Sequence, residues 1–153
     1  MAVKLAVLDT NLFLLWLVGQ RNTSYIGQHK RTKKFSIRDF ENLSRFLDQM
    51  DEVATTSQVM VEVSNLLAQT DDEKRSELLL TFQAVLALMP EHHQGARLLS
   101  DDPHFLRLGL TDAGLLHKSF KNHILLTDDG PLHSSACSLN HNCIHFNEIR
   151  ACS

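Results

Sequence analysis

The sequence predicts an α/β domain with three layers, α/β/α, around a central and mainly parallel sheet. Three observations support this fold class. Short apolar segments of β-forming residues recur along the chain, segments with helical periodicity separate them, and polar residues follow the ends of predicted strands. Because strands that alternate with helices favour parallel pairing, we expect helices to cover both faces of the sheet.

The first half of the chain contains two predicted strands and four predicted helices. Residues Val3–Leu8 alternate and predict the first strand, and an apolar helix follows from about Asn11 to Val18. A basic, glycine-containing segment over about 20–35 is the clearest loop. Ser36 begins the next helix, with Asp39 as its capping-box partner. The remaining elements are a strand over Glu52–Thr55, a helix over about Ser57–Ala68 and a helix over about Asp72–Leu88 that ends before Pro90.

The second half is predicted as short helices and two strands. His92 and His93 follow Pro90 and are expected in a loop. The predicted elements are a short helix over about 93–99, a helix capped by Thr111 that runs to about Ser119, a strand over His123–Thr127, a small helix over Leu132–Cys137 and a last strand over Asn142–Phe146.

The composition predicts a single domain over residues 1–153. The chain has 153 residues, 43% of them hydrophobic, which is enough for one core and short for two. Its three cysteines show no disulfide framework, which indicates a reducing compartment. Asp9 and Asn11 interrupt the N-terminal apolar run, and no run reaches the roughly 20 residues that span a bilayer. We therefore expect a soluble, cytoplasmic protein without a membrane partner.

Charge is unevenly distributed, although the net charge is only −3. Six of the fifteen basic residues and no acid lie between Gln20 and Arg38, namely Arg21, Lys30, Arg31, Lys33, Lys34 and Arg38. This cluster is typical of a segment that binds an anionic partner, and a solvated basic loop explains it equally well.

Asp9 follows the first predicted strand, in the polar triplet Asp9-Thr10-Asn11 between two apolar runs. In open parallel sheets the ligand crevice lies beyond the carboxyl ends of the strands, so we expect this triplet at the rim of a site. The alternative is that Thr10 or Asn11 caps the following helix, with Asp9 favourably near the positive end of that helix.

Three further acidic positions have comparable contexts. Glu62 lies in the apolar helix after the second strand, Asp112 in the first turn of a helix, and Asp129, with Asp128 beside it, after a buried strand. Singly, each has an ordinary explanation as an exposed helix position, a charge at a helix N-terminus or a turn. If they converge with Asp9, their repulsion requires a divalent cation, and Mg²⁺ or Mn²⁺ suits oxygen ligands.

Four motifs stand in the order found in PIN-domain nucleases, and the chain resembles that family from Val3 to about Ile149. The motifs are DTN after the first strand, SQVMVEVSNLL around Glu62, LTDAGLL around Asp112 and LLTDDGPL around Asp129. The resemblance implies a PIN-like α/β/α domain that binds Mg²⁺ or Mn²⁺ and cuts single-stranded RNA.

The resemblance also implies roles for individual residues. Asp9, Glu62 and Asp112 match the central catalytic and metal-binding acids. Asp129 matches the fourth through the family's Thr-x-Asp pattern, which Thr127-Asp128-Asp129 supplies. The metal set would also include Asp128, and the supporting polar residues would be Asn11 and Thr127.

The resulting hypothesis is a divalent-metal-dependent endoribonuclease that cleaves single-stranded RNA. The residues expected to hold RNA phosphates are Arg21, Lys30, Arg31, Lys33 and Lys34, with Tyr25 or Phe35 stacked on a base. The family includes toxins of bacterial toxin-antitoxin pairs, which would add an antitoxin protein as a partner. Because the apolar segment Leu12–Val18 exceeds what one small sheet covers, we also expect a homodimer.

Three alternatives remain open. A catalytically inactive PIN-like scaffold that binds RNA or protein would keep the fold, although the complete acidic set argues against it. A phospho-accepting signalling domain also collects acids at strand ends, but it requires an acidic pair directly after the first strand. Zinc-ligating residue types occur at His133, Cys137, His141, Cys143 and His145, but their spacing matches no familiar ligand pair, so core cysteines and surface histidines are expected.

Overall fold

The computed structural model describes residues 3–117, 123–139 and 141–151. Its central sheet consists of parallel strands. These strands are β1 (Leu5–Leu8), β2 (Glu52–Thr56), β3 (Glu91–His92), β4 (His123–Thr127) and β5 (Cys143–His145). Their order is β3-β2-β1-β4-β5, and every neighbouring pair is parallel. The predicted α/β class with its parallel sheet is therefore confirmed.

The helices of the described chain cover the sheet. They are α1 (Thr10–Arg21), α2 (Ile37–Asp48), α3 (Ser57–Leu67), α4 (Asp72–Leu86), α5 (Ala96–Ser100), α6 (Phe105–Leu116), α7 (Gly130–Ser138) and α8 (Phe146–Ala151). None of these described helices has both the length and the apolar character needed to cross a bilayer.

Right-handed crossovers assign the helices to two faces of the sheet. From β1 to β3 the chain steps toward one edge, which places α1 to α4 on one face. The chain then returns to β4 and steps to β5 in the opposite direction, which places α5 to α7 on the other face. The contacts agree, because α1 touches α2, α3 and α4, whereas α6 touches α5 and α7; α6 also touches α3 of the first face.

The core lies around β1 and α1. Ala6, Val7 and Leu8 of β1 are fully buried, and so are Leu125 and Leu126 of the neighbouring β4. Asp9 continues this pairing, since its amide donates a 3.2 Å hydrogen bond to the carbonyl of Leu126. The end of β1 is thereby fixed against the end of β4, which positions the candidate site described below.

Helix α1 is enclosed within the chain itself. The fully buried side chains of this helix are Leu12, Phe13, Leu14, Leu15, Leu17 and Val18. Trp16 is half-buried and contacts Phe13 edge-on, with 6.0 Å between the ring centroids. The apolar segment Leu12–Val18 therefore gives no reason to expect a dimer, and that part of the sequence argument is wrong. The dimer itself stays a prediction.

The basic segment forms a folded loop between α1 and α2. After the 3₁₀ turn Thr23–Tyr25, buried residues recur every third position at Ile26, His29, Thr32 and Phe35. Thr32 Oγ1 donates a 2.8 Å hydrogen bond to the carbonyl of Ile26. The lysines and arginines of this segment stay on its outside because the positions between the buried residues are exposed.

The two aromatic residues of this segment have other partners than a base. Phe35 is 5% exposed and contacts Phe146 edge-on, with 6.0 Å between the ring centroids. The Tyr25 hydroxyl donates a 2.6 Å hydrogen bond to Glu77, and Lys74 lies over its ring. The prediction that Tyr25 or Phe35 stacks on RNA is therefore wrong for Phe35, and Tyr25 is held against α4.

Several elements differ from the sequence-based prediction. Glu91 and His92 form β3 instead of a loop because they pair with Thr55 and Thr56 of β2. Helix α6 begins at Phe105, and Thr111 does not cap it. The last predicted strand ends early, and α8 begins at Phe146. The end predicted near Ser119 lies outside the described residues.

Long-range contacts explain the missed α8. Arg150 of this helix binds Asp39 through two hydrogen bonds, from Nε at 3.0 Å and from a terminal nitrogen at 3.1 Å. Asp39 also completes the predicted capping box with Ser36, whose side chain accepts from the Asp39 amide at 3.0 Å. The capping box of α2 is confirmed, and its carboxylate additionally anchors α8.

Gly19 allows α1 and α2 to approach closely, and its replacement tests this contact. A Cβ at Gly19 would lie 2.2 Å from Cδ2 of Phe40. We expect Gly19→Ala to lower the free energy of unfolding by about 1–3 kcal/mol, because the ring must move within a packed interface. Urea unfolding measures the change. Gly27→Ala is the control, with no atom within 4 Å of its Cβ position; equal stability of the two variants would contradict the close contact.

Candidate active site

Asp9 is a buried carboxylate at the junction of β1 and α1. It is 5% exposed and is the N-cap of α1, with Oδ1 accepting from the Leu12 amide at 3.0 Å. Oδ2 accepts from the Thr127 hydroxyl and, at 3.1 Å, from the Asp128 amide. Capping is thus a real role of this triplet, but it belongs to Asp9 and not to Thr10 or Asn11.

These donors do not fully compensate the burial of Asp9. Burial and, to a smaller extent, the negative charge of Asp128 together raise the pKa of Asp9 to about 7, against the lowering effect of the three hydrogen bonds. A positive charge placed beside Asp9 would favour the charged form of this carboxylate and lower its pKa.

Asp129 occupies the equivalent junction after β4. It is the N-cap of α7, with Oδ1 accepting from the Leu132 amide at 2.9 Å, and Pro131 stands in the first turn of that helix. Its own amide donates to Thr127 Oγ1 at 2.9 Å. The Thr127 hydroxyl therefore links Asp9 and Asp129, and its supporting role in a site stays a prediction.

Glu62 and Asp112 come from helices on opposite faces of the sheet. Helix α3 touches α6, and Thr111 Oγ1 donates a 2.7 Å hydrogen bond to Glu62 Oε2. Within α6, Gly109 adopts φ 84° and ψ −179°, which interrupts the helix shortly before Asp112. Only glycine adopts this backbone conformation readily, so the kink depends on Gly109.

One cavity collects these acids. It has a volume of about 290 Å³, and Asp9, Glu62, Asp112 and Asp129 all line it. The other lining residues are Thr10, Asn11, Leu108, Gly109, Leu110 and Thr111. We call this space the acid cavity.

Repulsion among the acids is visible at Asp112. Burial raises the pKa of Asp112 to about 6, and the negative charges of Asp129 and Glu62 contribute to the shift. No hydrogen bond or cation among the described residues offsets these effects. Within the described residues, the Asp112 carboxylate therefore stands in the acid cavity without electrostatic compensation.

The donor types of the acid cavity suit a hard divalent cation. Carboxylate, hydroxyl and amide oxygens line it, and its described lining contains no histidine or cysteine. In residues 3–117, 123–139 and 141–151, however, no group of three or more His, Cys, Asp or Glu side chains is arranged as ligands around one point. The acids converge on one cavity without forming a closed coordination shell.

Asp128 is held beside the acid cavity by two other partners. Asn11 Nδ2 donates to its Oδ1 at 3.2 Å, and Lys34 Nζ lies 2.9 Å from its Oδ2. The sequence placed Asp128 in the metal set, Asn11 among the supporting residues and Lys34 among the RNA-binding residues. The structure joins all three by these contacts. Asn11 lines the acid cavity, whereas Asp128 is not among the lining residues.

The other basic residues of the segment have different positions. Arg21 forms a 3.4 Å ion pair with Glu77 of α4. Lys30, Arg31 and Lys33 are exposed on the loop that ends at Lys34. Through the contact of Lys34 with Asp128, this basic surface reaches the rim of the acid cavity.

Neither a protein-family model nor a curated protein matches the chain. The resemblance to PIN-domain nucleases stays a prediction.

The zinc-type residues lie apart from the acid cavity. His133 and Cys137 are one turn apart on α7, with 3.6 Å between Nε2 and Sγ, and the His145 ring lies 5.6 Å from that of His133. They do not form a ligand group of three in the described residues. Cys137 is exposed and Cys143 is half-buried, so the prediction of core cysteines is wrong for Cys137.

Three residues of the site were missed or misjudged from the sequence. Thr111 was expected to cap a helix, yet its hydroxyl binds Glu62. Gly109 lies in the segment LGLTD, where a glycine before a helical pattern could have signalled a break. The contact of Lys34 with Asp128 spans 94 positions and has no local signal.

The raised pKa of Asp112 predicts a pH-dependent stability. The folded chain holds this proton more tightly than the unfolded chain, so the wild type loses stability as pH rises from about 4 through about 6. Asp112→Asn cannot ionise. We expect it to match the wild type at pH 4 and to exceed its free energy of unfolding by about 1–2 kcal/mol at pH 8, after allowing for solvent contact.

Urea unfolding at both pH values measures this difference. Asp48→Asn, at an exposed position of α2, is the matched control and should follow the wild type at both pH values. If Asp112→Asn also follows the wild type, Asp112 is not electrostatically strained.

Proposed function

We propose that the protein is a divalent-metal-dependent endoribonuclease that cleaves single-stranded RNA at the acid cavity. The observation that carries the proposal is the convergence of four carboxylates, from Asp9, Glu62, Asp112 and Asp129, on one cavity of about 290 Å³. These acids come from four separate parts of the chain, and two of them have raised pKa values.

The electrostatics of the acid cavity support a bound cation. Four carboxylates repel one another, and burial makes the charged forms of Asp9 and Asp112 costly. A divalent cation removes this cost, so the folded protein should bind Mg²⁺ or Mn²⁺ with a gain in stability. When bound, such an ion supplies an activated water and neutralises charge on a phosphoryl group.

The residues around the acids hold them in position. The Thr127 hydroxyl and the amides of Leu12 and Asp128 fix the Asp9 carboxylate, so it is pre-oriented. The Leu132 amide fixes one oxygen of Asp129, and Thr111 fixes one oxygen of Glu62. Groups that are fixed before the reaction need no reorganisation during it, which favours catalysis.

The basic segment supports an anionic polymer as the substrate. Lys34 pairs with Asp128, and Lys30, Arg31 and Lys33 are exposed on the same segment as Lys34. Cations next to a cavity of acids would hold phosphates on either side of the bond being cut. An inactive scaffold of the same fold needs the basic surface but not the uncompensated acids.

RNA cleavage tests the proposal. We expect pure protein to cut single-stranded RNA in Mn²⁺ or Mg²⁺ and not in EDTA. Asp9→Asn should lower the rate by at least about 100-fold, because loss of a residue supporting a metal ligand already costs about 10–100-fold. Asp48→Asn serves as the control and should retain the wild-type rate.

Two results would contradict the proposal. Cleavage that persists in EDTA and in Asp9→Asn indicates contamination or another mechanism. RNA binding without any cleavage in either metal favours the inactive scaffold.

The salt dependence of RNA binding tests the basic segment. For single-stranded RNA, each lost phosphate contact reduces the slope of log affinity against log salt by about 0.7. Lys30→Gln combined with Lys33→Gln should therefore reduce the slope by about 1.4. The control combines Lys74→Gln with Arg75→Gln, which removes the same charge from α4. Equal slopes for the two double variants would show that the basic segment makes no specific phosphate contacts and is only a solvated loop.

A further inference from the structure

We propose that a groove beside the acid cavity binds an unpaired nucleobase of the RNA strand. This inference rests on the proposed function, because the base would belong to a nucleotide next to the phosphate at the acids. The groove lies between α3, the residues after β3, and α6, and has a volume of about 430 Å³. Small-molecule sites typically have volumes of about 300–1,000 Å³.

The groove and the acid cavity are neighbours that share part of their lining. Glu62, Leu110 and Thr111 line both spaces. The 2.7 Å hydrogen bond from Thr111 to Glu62 stands at their junction. A strand that places a phosphate among the acids therefore has an adjacent base within reach of the groove.

The walls of the groove provide the apolar surface that a base requires. Most of the groove surface is apolar, and Val61 is 63% exposed within it. Leu110, which follows the kink of α6, lines the groove opposite helix α3, which carries Val61. The apolar side chain of Val61 faces water in the free protein and is removed from water when the face of a base covers it.

Polar groups at the groove match the edge of a base. Asn65 follows Val61 by one helical turn, so both lie on the same side of α3. Its amide offers a donor and an acceptor, as the edges of bases require. His93 Nδ1 lies 2.6 Å from Ser57 Oγ, which fixes the imidazole ring and leaves Nε2 free of partners in the described chain.

This arrangement selects unpaired RNA. A base within a duplex is stacked on both faces and has its pairing edge occupied, so it cannot enter a separate groove. Sequence-specific recognition of RNA uses splayed bases that contact side chains by stacking and hydrogen bonding. The groove therefore provides a physical reason for a preference for single strands.

Binding of two RNA ligands with the same backbone tests the inference. The probes are a fluorescein-labelled octanucleotide of adenosine and an abasic ribose-phosphate backbone of the same length. Binding is measured by anisotropy with Asp9→Asn protein in Mg²⁺, so that cleavage does not interfere. We expect the adenosine probe to bind at least about tenfold more tightly, since stacking of one base contributes that much.

Groove variants locate the base-dependent part of the affinity. Asn65→Ala combined with His93→Ala should reduce the ratio between the two probes by about tenfold and leave binding of the abasic backbone unchanged. Both side chains are exposed, so the thermal midpoint should not change. Gln83→Ala, at an exposed position of α4, is the control.

Two outcomes overturn the inference: equal affinity for the two probes, or an unchanged ratio in the double variant. Failure of the proposed endoribonuclease is seen separately in the cleavage assay, which contains no groove variant. If the protein distinguishes the probes through Asn65 and His93 but cuts no RNA, the proposed base site stands and the proposed endoribonuclease activity is contradicted.

Discussion

The buried carboxylate of Asp9 is the group on which the candidate site depends. Asp9 lies between the last residue of β1 and the first residue of α1. Its carboxylate accepts hydrogen bonds from Leu12 of α1, from Thr127 at the end of β4 and from Asp128, which follows β4. A buried charge of this kind is costly, and three donors do not remove the cost. The charged form of Asp9 is therefore destabilised at the point where β1 and β4 end. The other acids that line the cavity add further repulsion between negative charges.

Strong local patterns made most of the fold predictable. Alternation of β-forming residues predicted β1, an apolar run predicted β4, and the Ser36–Asp39 capping box predicted the start of α2. The position of Asp9 and Asp129 at strand ends followed from the parallel topology alone, because carboxyl ends of parallel strands share one edge. The prediction that they approach Glu62 and Asp112 depended on the family resemblance, because helix α3 and helix α6 meet only through tertiary contacts.

The elements that were missed depend on partners distant in the chain. The two residues of β3 are too few to show a pattern, and they form a strand because β2 offers an unpaired edge. Helix α8 is anchored by Arg150 on Asp39, 111 positions away. The sequence predicts the basic segment only as a loop, because its many charges obscure the buried residue at every third position. Local propensity is a weak guide wherever such contacts decide the outcome.

The order of the strands also constrains how the protein matures. Strand β4 lies beside β1 although more than a hundred residues separate them, and it carries Thr127, Asp128 and Asp129. A nascent chain that lacks β4 has an incomplete sheet and an Asp9 carboxylate without its partner hydroxyl. Such long-range pairing is also slow to form. Any chemistry at the acids is thus withheld during synthesis until residue 129 has emerged from the ribosome and joined the sheet.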